Sequence, residues 1–180
     1  MDMIVAADRG CAIGKKGQLL YSLPEDMKYF RRMTAGKTVV MGQNTFLSLP
    51  GPAPLKGRTN IVLSADRSFE APGCVNVHSF DEMFSEIEKY PPDDVMLIGG
   101  GSLYNALYKY CKRAYVTWID ALDPDADVFI PDFHRLQGWS LESESQAVET
   151  GGYTVHFAVY RNKEPLHGYT SKPEDTKAIP

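Results

Sequence analysis

The chain has 180 residues, of which 43% are hydrophobic, and it carries a formal net charge of -4 at pH 7. This length suits one domain with a substantial core, and a hydrophobic content close to the ~45–50% of globular proteins excludes a disordered chain. The negative charge argues against a general binder of nucleic acid or of anionic membranes, because phosphate binding needs a field of Lys and Arg.

The cysteines and the N-terminal sequence indicate the cellular compartment in which the protein is expected. Cys11, Cys74 and Cys111 are far apart and form no CxxC pair, and the four histidines lack metal-ligand spacing. Neither a disulfide framework nor a metal site is therefore predicted. The first residues do not have the pattern of a signal peptide, and no apolar run approaches the ~20 residues of a membrane-spanning helix. These features predict a cytoplasmic protein without membrane or nucleic-acid partners.

Short β-rich runs alternate with helical patterns along the first 120 residues. Several of the runs are continuously apolar, as strands buried on both faces of a largely parallel sheet should be. The predicted strands are Met3–Ala7, Thr38–Met41, Asn60–Leu63, Val75–His78, Val95–Ile98 and Ala114–Ile119, and the predicted helices cover about 24–34, 43–49, 80–90 and 101–110. Ser79 and Glu82 form a capping-box pattern for the third helix. The alternation predicts a single-domain α/β fold with a mixed, mostly parallel sheet flanked by helices.

The pattern changes after residue 131. Two longer stretches, about 139–149 and 153–162, flank Gly151-Gly152, which predicts a C-terminal antiparallel hairpin at the sheet edge. From residue 163 to 180 the composition is polar and rich in proline, so we expect a loose tail after a domain of residues 1–162. Three connections, about 9–23, 50–58 and 121–138, are long enough to be functional loops, and the first is the best candidate for a lid.

Asp26 lies in the first turn of the first predicted helix. A helix dipole alone favours an acid there. However, Phe30 follows Met27 by three residues and Asp26 by four, the spacings of one helical stripe, so the carboxylate lies beside apolar groups. Desolvation would then raise its pKa, as a proton-handling group requires.

Two glycine turns each join a strand to a helix. Gly99-Gly100-Gly101 follows one apolar strand, and Gly42 follows another, with Gln43, Asn44 and Thr45 behind it. Glycine lets the backbone approach a ligand closely, and the free N–H groups of a helix start suit a pyrophosphate. A tight turn or a simple helix cap would explain either feature taken alone. Together they indicate a dinucleotide across the carboxyl edge of the sheet.

Arg58 precedes a strand, where its guanidinium could bind a carboxylate or simply be solvated.

Seven segments in order resemble the dihydrofolate reductase family over about residues 3–162. They are Ala12–Gly14, Leu23–Asp26, Val40–Thr45, Gly57–Asn60, Ile98–Tyr104, Thr117–Asp120 and Asp127–Pro131.

The resemblance implies an enzyme that reduces 7,8-dihydrofolate to tetrahydrofolate with NADPH for one-carbon metabolism, and that binds antifolates. It implies Asp26 as the acid that binds the pteridine and promotes its protonation at N5, with Thr117 bonded to it. Tyr21 stands in place of a tryptophan that orders a water near this acid, and its hydroxyl could do the same. Arg58 would take the α-carboxylate of the glutamate. The other implied substrate-binding residues are Ile4, Val5, Ala6, Met27, Phe30, Leu49, Leu55, Ile98 and Tyr104.

The resemblance also implies a closing loop from Arg9 to Leu23 and a cis bond between Gly99 and Gly100. The implied cofactor-binding residues are Ala7, Ile13, Gly14, Leu19, Gly42, Gln43, Asn44, Thr45, Leu63, Ser64, Arg67, Gly99, Gly100, Gly101, Ser102, Leu103 and Tyr104. The chain departs from the family pattern in two regions. Leu20-Tyr21 replaces the usual Pro-Trp of the closing loop. At the 2′-phosphate site, Gln43 replaces an arginine that commonly holds the phosphate, and Ala65 follows Ser64 where the family frequently has a second polar residue.

Two alternatives are the reductase domain of riboflavin biosynthesis and a non-catalytic folate- or nucleotide-binding module. The first would lack the acid on the first helix and the second would lose it, so Asp26 argues against both. A monomer is expected.

Overall fold

The computed structural model describes residues 1–169 and confirms the mixed α/β architecture. Its strands are β1 (Asp2–Asp8), β2 (Ala12–Lys15), β3 (Gln18–Leu19), β4 (Thr38–Gly42), β5 (Thr59–Leu63), β6 (Val75–Val77), β7 (Val95–Gly99), β8 (Arg113–Ile119), β9 (Val128–Phe129), β10 (Trp139–Glu144), β11 (Val148–Thr150) and β12 (Tyr153–Asn162). The main sheet has the order β10-β12-β8-β1-β7-β4-β5-β6, and β11 pairs with β12. Neighbours from β8 to β6 are parallel, whereas β12 runs antiparallel to β8, β10 and β11.

Four α-helices cover the sheet, and their ends lie close to the predicted ones. They are α1 (Pro24–Thr34), α2 (Gln43–Ser48), α3 (Phe80–Ile87) and α4 (Gly101–Leu107), with a 3-10 turn at Tyr108–Tyr110 after α4. Ser79 caps α3 as predicted, since its Oγ accepts the N–H of Glu82 at 3.1 Å. The Glu82 carboxylate bonds to the N–H of His78 at 2.7 Å, one residue before the position that a capping box uses.

The parallel strands are buried because helices lie on both faces of the sheet. Met3, Val40 and Leu97 pack with Met83 of α3 and Leu103 of α4, and all five are fully buried. Alternate residues on the same strands face the other way, as the two-residue period of a strand requires. This is why the strand sequences are continuously apolar rather than alternating.

The opposite face of the sheet carries α1 and α2. Ile4, Val39 and Met96 cluster there with Phe46 of α2, and Phe30 of α1 packs against them. The carboxyl ends of β1, β4 and β7 open at the same edge of the sheet because these strands are parallel. Open α/β sheets bind their ligands at this edge.

Two of the long connections contain regular structure that the sequence analysis did not predict. Strands β2 and β3 from the first loop and β9 from the third form a small antiparallel sheet in the order β3-β2-β9. These strands have only two to four residues, too few for an alternating pattern to be recognised. The small sheet joins the predicted lid to residues 121–138.

The C-terminal hairpin is confirmed, with a break in its first arm. Residues 145–147 separate β10 from β11, and Gly151 and Gly152 make the turn with φ values of 59° and 82°. Residues 163–169 contact the domain rather than extending from it. The N–H of Leu166 donates to the Lys109 carbonyl at 2.9 Å, and the Tyr169 ring stacks on Phe84 at 4.7 Å. The rest of the predicted tail lies outside the described residues.

Candidate active site

The start of α1 is held by the C-terminal hairpin. Leu23 occupies the N-cap position, and its side chain cannot accept a hydrogen bond. The Oγ1 of Thr150 supplies the missing acceptor, 3.1 Å from the N–H of Glu25. Gly151 lies so close to the Ser22 carbonyl that an added Cβ would approach it to 2.4 Å. The position of Asp26, the next residue in the helix, therefore depends on a contact made at the other end of the chain.

Asp26 is half-buried beside strand β8. Burial raises the pKa of its carboxyl, and the Thr117 hydroxyl partly offsets this by acting as a donor towards it. Thr117 is fully buried, and its Oγ1 makes no hydrogen bond of standard geometry among the described residues, so the contact with Asp26 is a loose one. The net effect is a carboxyl that keeps its proton to a higher pH than an ordinary aspartate.

The predicted apolar wall is largely one cluster. Ile4 and Ile98 are buried and pack with Phe30, Leu49 and Leu55 from α1 and the segment after α2. Met27, at 41% exposure, lies one turn before Phe30 on the same helix. Ala6 lies in register with Thr117 and so adjoins the acid.

Val5 and Ala7, predicted to contact the substrate and the cofactor respectively, have side chains that point to the other face of the sheet. Both belong to the cluster beneath α3 and α4. Successive residues of a strand face opposite sides, so only the backbone of Val5 can reach a ligand that contacts Ile4 and Ala6. The Tyr104 hydroxyl donates to the Ile4 carbonyl at 2.6 Å and is buried. Tyr104 therefore holds the middle of β1, and its hydroxyl is already engaged.

Arg58, which precedes β5, packs beside the C-terminal end of α1, where its Nε donates to the Thr34 carbonyl at 3.2 Å. Burial, and secondarily the positive charge of Arg31, lower its pKa. Neither arginine makes an ion pair within residues 1–169. The sequence analysis missed Arg31, although its spacing from Met27 and Thr34 places it on the same helix face. Two adjacent cations without carboxylate partners make a site for an anion.

The two glycine turns lie side by side. Gly42 and Gly100 are the N-cap residues of α2 and α4, and neither helix has a side-chain cap. The Gly99-Gly100 bond is cis as expected. An added Cβ on Gly100 would lie 3.1 Å from the Thr45 hydroxyl, and one on Gly101 would lie 2.3 Å from Val128. The uncapped backbone N–H groups fit the diphosphate of a dinucleotide.

Other predicted cofactor residues occupy the margins of this edge. Leu63 and Leu103 are fully buried, so they offer only backbone atoms, whereas Ser102 and Asn44 are exposed. The Ser64 hydroxyl donates to Oε1 of Gln43 at 2.5 Å, which joins the ends of β4 and β5. Arg67 is nearby in sequence, but its guanidinium pairs with a carboxylate of α3.

The predicted lid is anchored by Asp8, a residue that the sequence analysis did not single out. Its fully buried carboxylate accepts the N–H groups of Gly10, Ala12 and Asp123 at 2.8–2.9 Å. It also accepts the Tyr21 hydroxyl at 3.2 Å. In this structure the Tyr21 hydroxyl is thus engaged with Asp8 and not with Asp26. Burial and Asp8 raise the pKa of Tyr21 to about 12, so it remains a donor.

The small sheet holds the rest of the lid. The N–H of Lys16 donates to the Asp127 carboxylate at 2.9 Å, and the N–H of Asp127 donates to the Gly14 carbonyl at 3.2 Å. Ile13 is half-buried and Gly14 buried, while Leu19 is 77% exposed at the free edge of the sheet. The lid residues thus border the edge where the glycine turns lie.

A family model described as dihydrofolate reductase matches residues 1–162. The chain belongs to the dihydrofolate reductase family. It is 33% identical to the dihydrofolate reductase of Bacillus subtilis, over 91% of this chain and 95% of that one. With the enzyme of Haemophilus influenzae it shares 35% identity over 89% and 98% of the two chains. A solved structure of dihydrofolate reductase from Enterococcus faecalis complexed with NADP(H) and RAB-propyl superposes with a TM-score of 0.79 at 31% identity, covering 91% of this chain and 96% of that one.

As a dihydrofolate reductase, the chain reduces dihydrofolate with NADPH, which confirms the activity and cofactor predicted from the sequence. Neither alternative, the riboflavin-pathway reductase or the non-catalytic module, is supported. Among residues 1–169, no helix is both long and apolar enough to span a membrane. In the same range, no group of three or more His, Cys, Asp and Glu side chains is arranged to hold a metal ion.

Proposed function

We propose that Asp26 is the residue through which this dihydrofolate reductase binds and protonates its substrate. The observation that carries the proposal is a half-buried carboxyl with a raised pKa next to the buried hydroxyl of Thr117. A carboxylate at this position can bind the amidine edge of a pteridine with two parallel hydrogen bonds. The negative charge then favours the protonated pteridine, which accepts a hydride more readily than the neutral one.

NADPH, when bound, supplies the hydride. The protein's own residues orient the reactants and exclude water. Ile4, Ile98 and Phe30 present an apolar surface against the pteridine, and the backbone at Gly99 to Gly101 allows the nicotinamide end to approach it. The lid held by Asp8 and Asp127 shields this space from solvent, which strengthens the electrostatic effect of Asp26.

The substrate's glutamate tail is assigned to Arg58, with Arg31 beside it. The Arg58 side chain is held by the Thr34 carbonyl, so its remaining N–H groups are oriented before the ligand arrives. A guanidinium forms paired hydrogen bonds with a carboxylate. The charge of Arg31 adds attraction for the dianionic tail.

The cofactor's diphosphate is assigned to the starts of α2 and α4, with Thr45, Asn44 and Ser102 as side-chain donors. Gln43, Ser64 and Arg67 are assigned to the 2′-phosphate. Ile13, Gly14 and Leu19 of the lid would contact the nicotinamide half. These assignments are supported by the adjacent uncapped helix starts and by the Gln43 to Ser64 hydrogen bond.

We infer further that the protein acts as a monomer in the cytoplasm and binds antifolates at the substrate site. The three cysteines are free thiols in the structure, the state that a reducing compartment maintains. Size-exclusion chromatography with light scattering tests the monomer, and competition with dihydrofolate tests the antifolate site.

The central assignment is tested by the rate at which purified protein oxidises NADPH in the presence of dihydrofolate. Asp26→Asn should reduce kcat at neutral pH by roughly 10²–10⁴-fold, the usual contribution of a proton-handling side chain. Glu25→Gln is the matched control, because Glu25 is the adjacent acid and, within residues 1–169, its carboxylate forms an ion pair only with the exposed Lys28, at 2.6 Å. Near-normal turnover in Asp26→Asn would show that another group handles the proton.

A further inference from the structure

The side chain of Arg67 faces a carboxylate at the margin of the dinucleotide edge. Its Nη2 lies 3.4 Å from Oε1 of Glu82, in the first turn of α3. The two side chains are 75% and 41% exposed. This is the one ion pair that Arg67 makes within residues 1–169. A phosphate that approaches Arg67 therefore meets a cation that already has an anionic neighbour.

Glu82 is held in place independently of Arg67. Its Oε2 accepts the N–H of His78 at 2.7 Å, and its own N–H donates to the Ser79 hydroxyl at 3.1 Å. One carboxylate oxygen thus belongs to the helix cap, which leaves the other directed towards Arg67. Because the cap fixes the side chain, Glu82 loses little conformational freedom in making this contact.

The other ionisable side chains near the end of β5 do not form an ion pair with Arg67 among the described residues. Asp66 also lies near the end of β5, but its Oδ1 accepts the N–H and the hydroxyl of Ser68 at 2.8 and 2.6 Å. The Nδ1 of His78 lies 3.1 Å from the Ser64 carbonyl. Asp81, the other acid in the first turn of α3, makes no ion pair among the described residues.

We propose that Glu82 is a specificity-determining residue that lowers the preference for a 2′-phosphorylated cofactor by competing for Arg67. The inference rests on the proposed function, in which Arg67 contacts the 2′-phosphate. Binding of NADPH requires Arg67 to exchange the carboxylate for the phosphate, whereas NADH leaves the pair undisturbed. A charge that acts only on the phosphorylated ligand changes selectivity without changing the rest of the site.

Glu82→Gln removes the negative charge beside Arg67 but keeps the helix cap, since a glutamine oxygen can still accept the N–H of His78. We expect its affinity for NADP⁺ to rise about two- to five-fold, the range typical of an exposed ion pair, with an unchanged affinity for NAD⁺. Asp81→Asn is the matched control, because it removes one negative charge from the same helical turn without touching Arg67. It should leave the ratio of the two affinities close to that of the native chain.

Titration calorimetry of NADP⁺ and NAD⁺ without substrate measures these affinities directly, at low and high salt. The gain in Glu82→Gln should shrink at high salt and vanish in the Arg67→Ala background. An unchanged ratio in Glu82→Gln, or a ratio equal to that of Asp81→Asn, overturns the proposal. If Arg67→Ala by itself leaves NADP⁺ affinity intact, the assigned role of Arg67 fails and the inference fails with it. If Arg67→Ala weakens NADP⁺ while Glu82→Gln changes nothing, only the inference fails.

Discussion

The Oγ1 of Thr150 caps helix α1 by accepting, at 3.1 Å, the N–H of Glu25, a residue 125 positions earlier in the chain. Thr150 is buried at the end of β11, next to the glycine turn that contacts Ser22. The helix that carries Asp26 therefore receives its side-chain cap from a distant segment and not from its own N-cap residue, Leu23. Its first turn depends on the C-terminal hairpin for this hydrogen bond.

Thr150→Val should lower the free energy of unfolding by about 0.5–2 kcal/mol, the usual cost of a lost cap. For a chain of this size, the melting temperature should fall by roughly 2–4 °C per kcal/mol. We also expect kcat to fall, because Asp26 lies in the destabilised turn. Thr150→Ser keeps the acceptor and is the control for both measurements. Equal stability of the Val and Ser variants would show that the hydrogen bond contributes nothing.

Asp26→Asn should stabilise the protein at neutral pH while removing activity. Because burial raises the pKa of Asp26, the folded protein binds this proton more tightly than the unfolded chain. The resulting stabilisation is complete below the unfolded pKa of about 3.9 and is lost as pH rises through the folded value. Urea titrations should show the variant more stable than the native chain at about pH 7.5, with little difference at about pH 3.5. A variant less stable at the higher pH contradicts this account.

Arg58→Ala should raise KM for dihydrofolate about 10- to 100-fold, as expected for a lost charge-assisted contact, and should change kcat far less. The glutamate tail lies away from the reacting carbon, so its contact is the same in the ground and transition states. Arg31→Ala should give a smaller, salt-sensitive increase in KM, since Arg31 is exposed. Arg161→Ala, at an exposed position of β12, controls for the change in net charge. An unchanged KM in Arg58→Ala would move the tail site elsewhere.

Gln43→Arg should improve kcat/KM for NADPH selectively, by roughly 5-fold, because a charged donor binds a phosphate about 1 kcal/mol better than an amide. The substitution also frees the Ser64 hydroxyl, which donates to Gln43 in the native chain. Gln43→Met removes the same hydrogen bond without adding charge and serves as the control. An equal improvement with NADH would show that position 43 does not contact the 2′-phosphate.

Local sequence patterns determined the strands of the main sheet, the helices and the family of this protein. The continuous apolar runs of β4 and β7 are sufficient to indicate buried parallel strands, and a proline at the start of α1 marks where that helix begins. The glycine turns, which are local features, indicated the dinucleotide edge. Asp26 was identified because the helical period relates it to Met27 and Phe30 within a single turn.

Only the tertiary structure decided which side chains meet. The cap from Thr150, the bond from Tyr21 to Asp8 and the pairing of Arg67 with Glu82 all join residues that no helical or strand period relates. The small sheet of β2, β3 and β9 likewise consists of strands too short for their patterns to be recognised. Propensity and periodicity report a residue's neighbours along the chain, whereas these contacts depend on the fold that brings distant segments together.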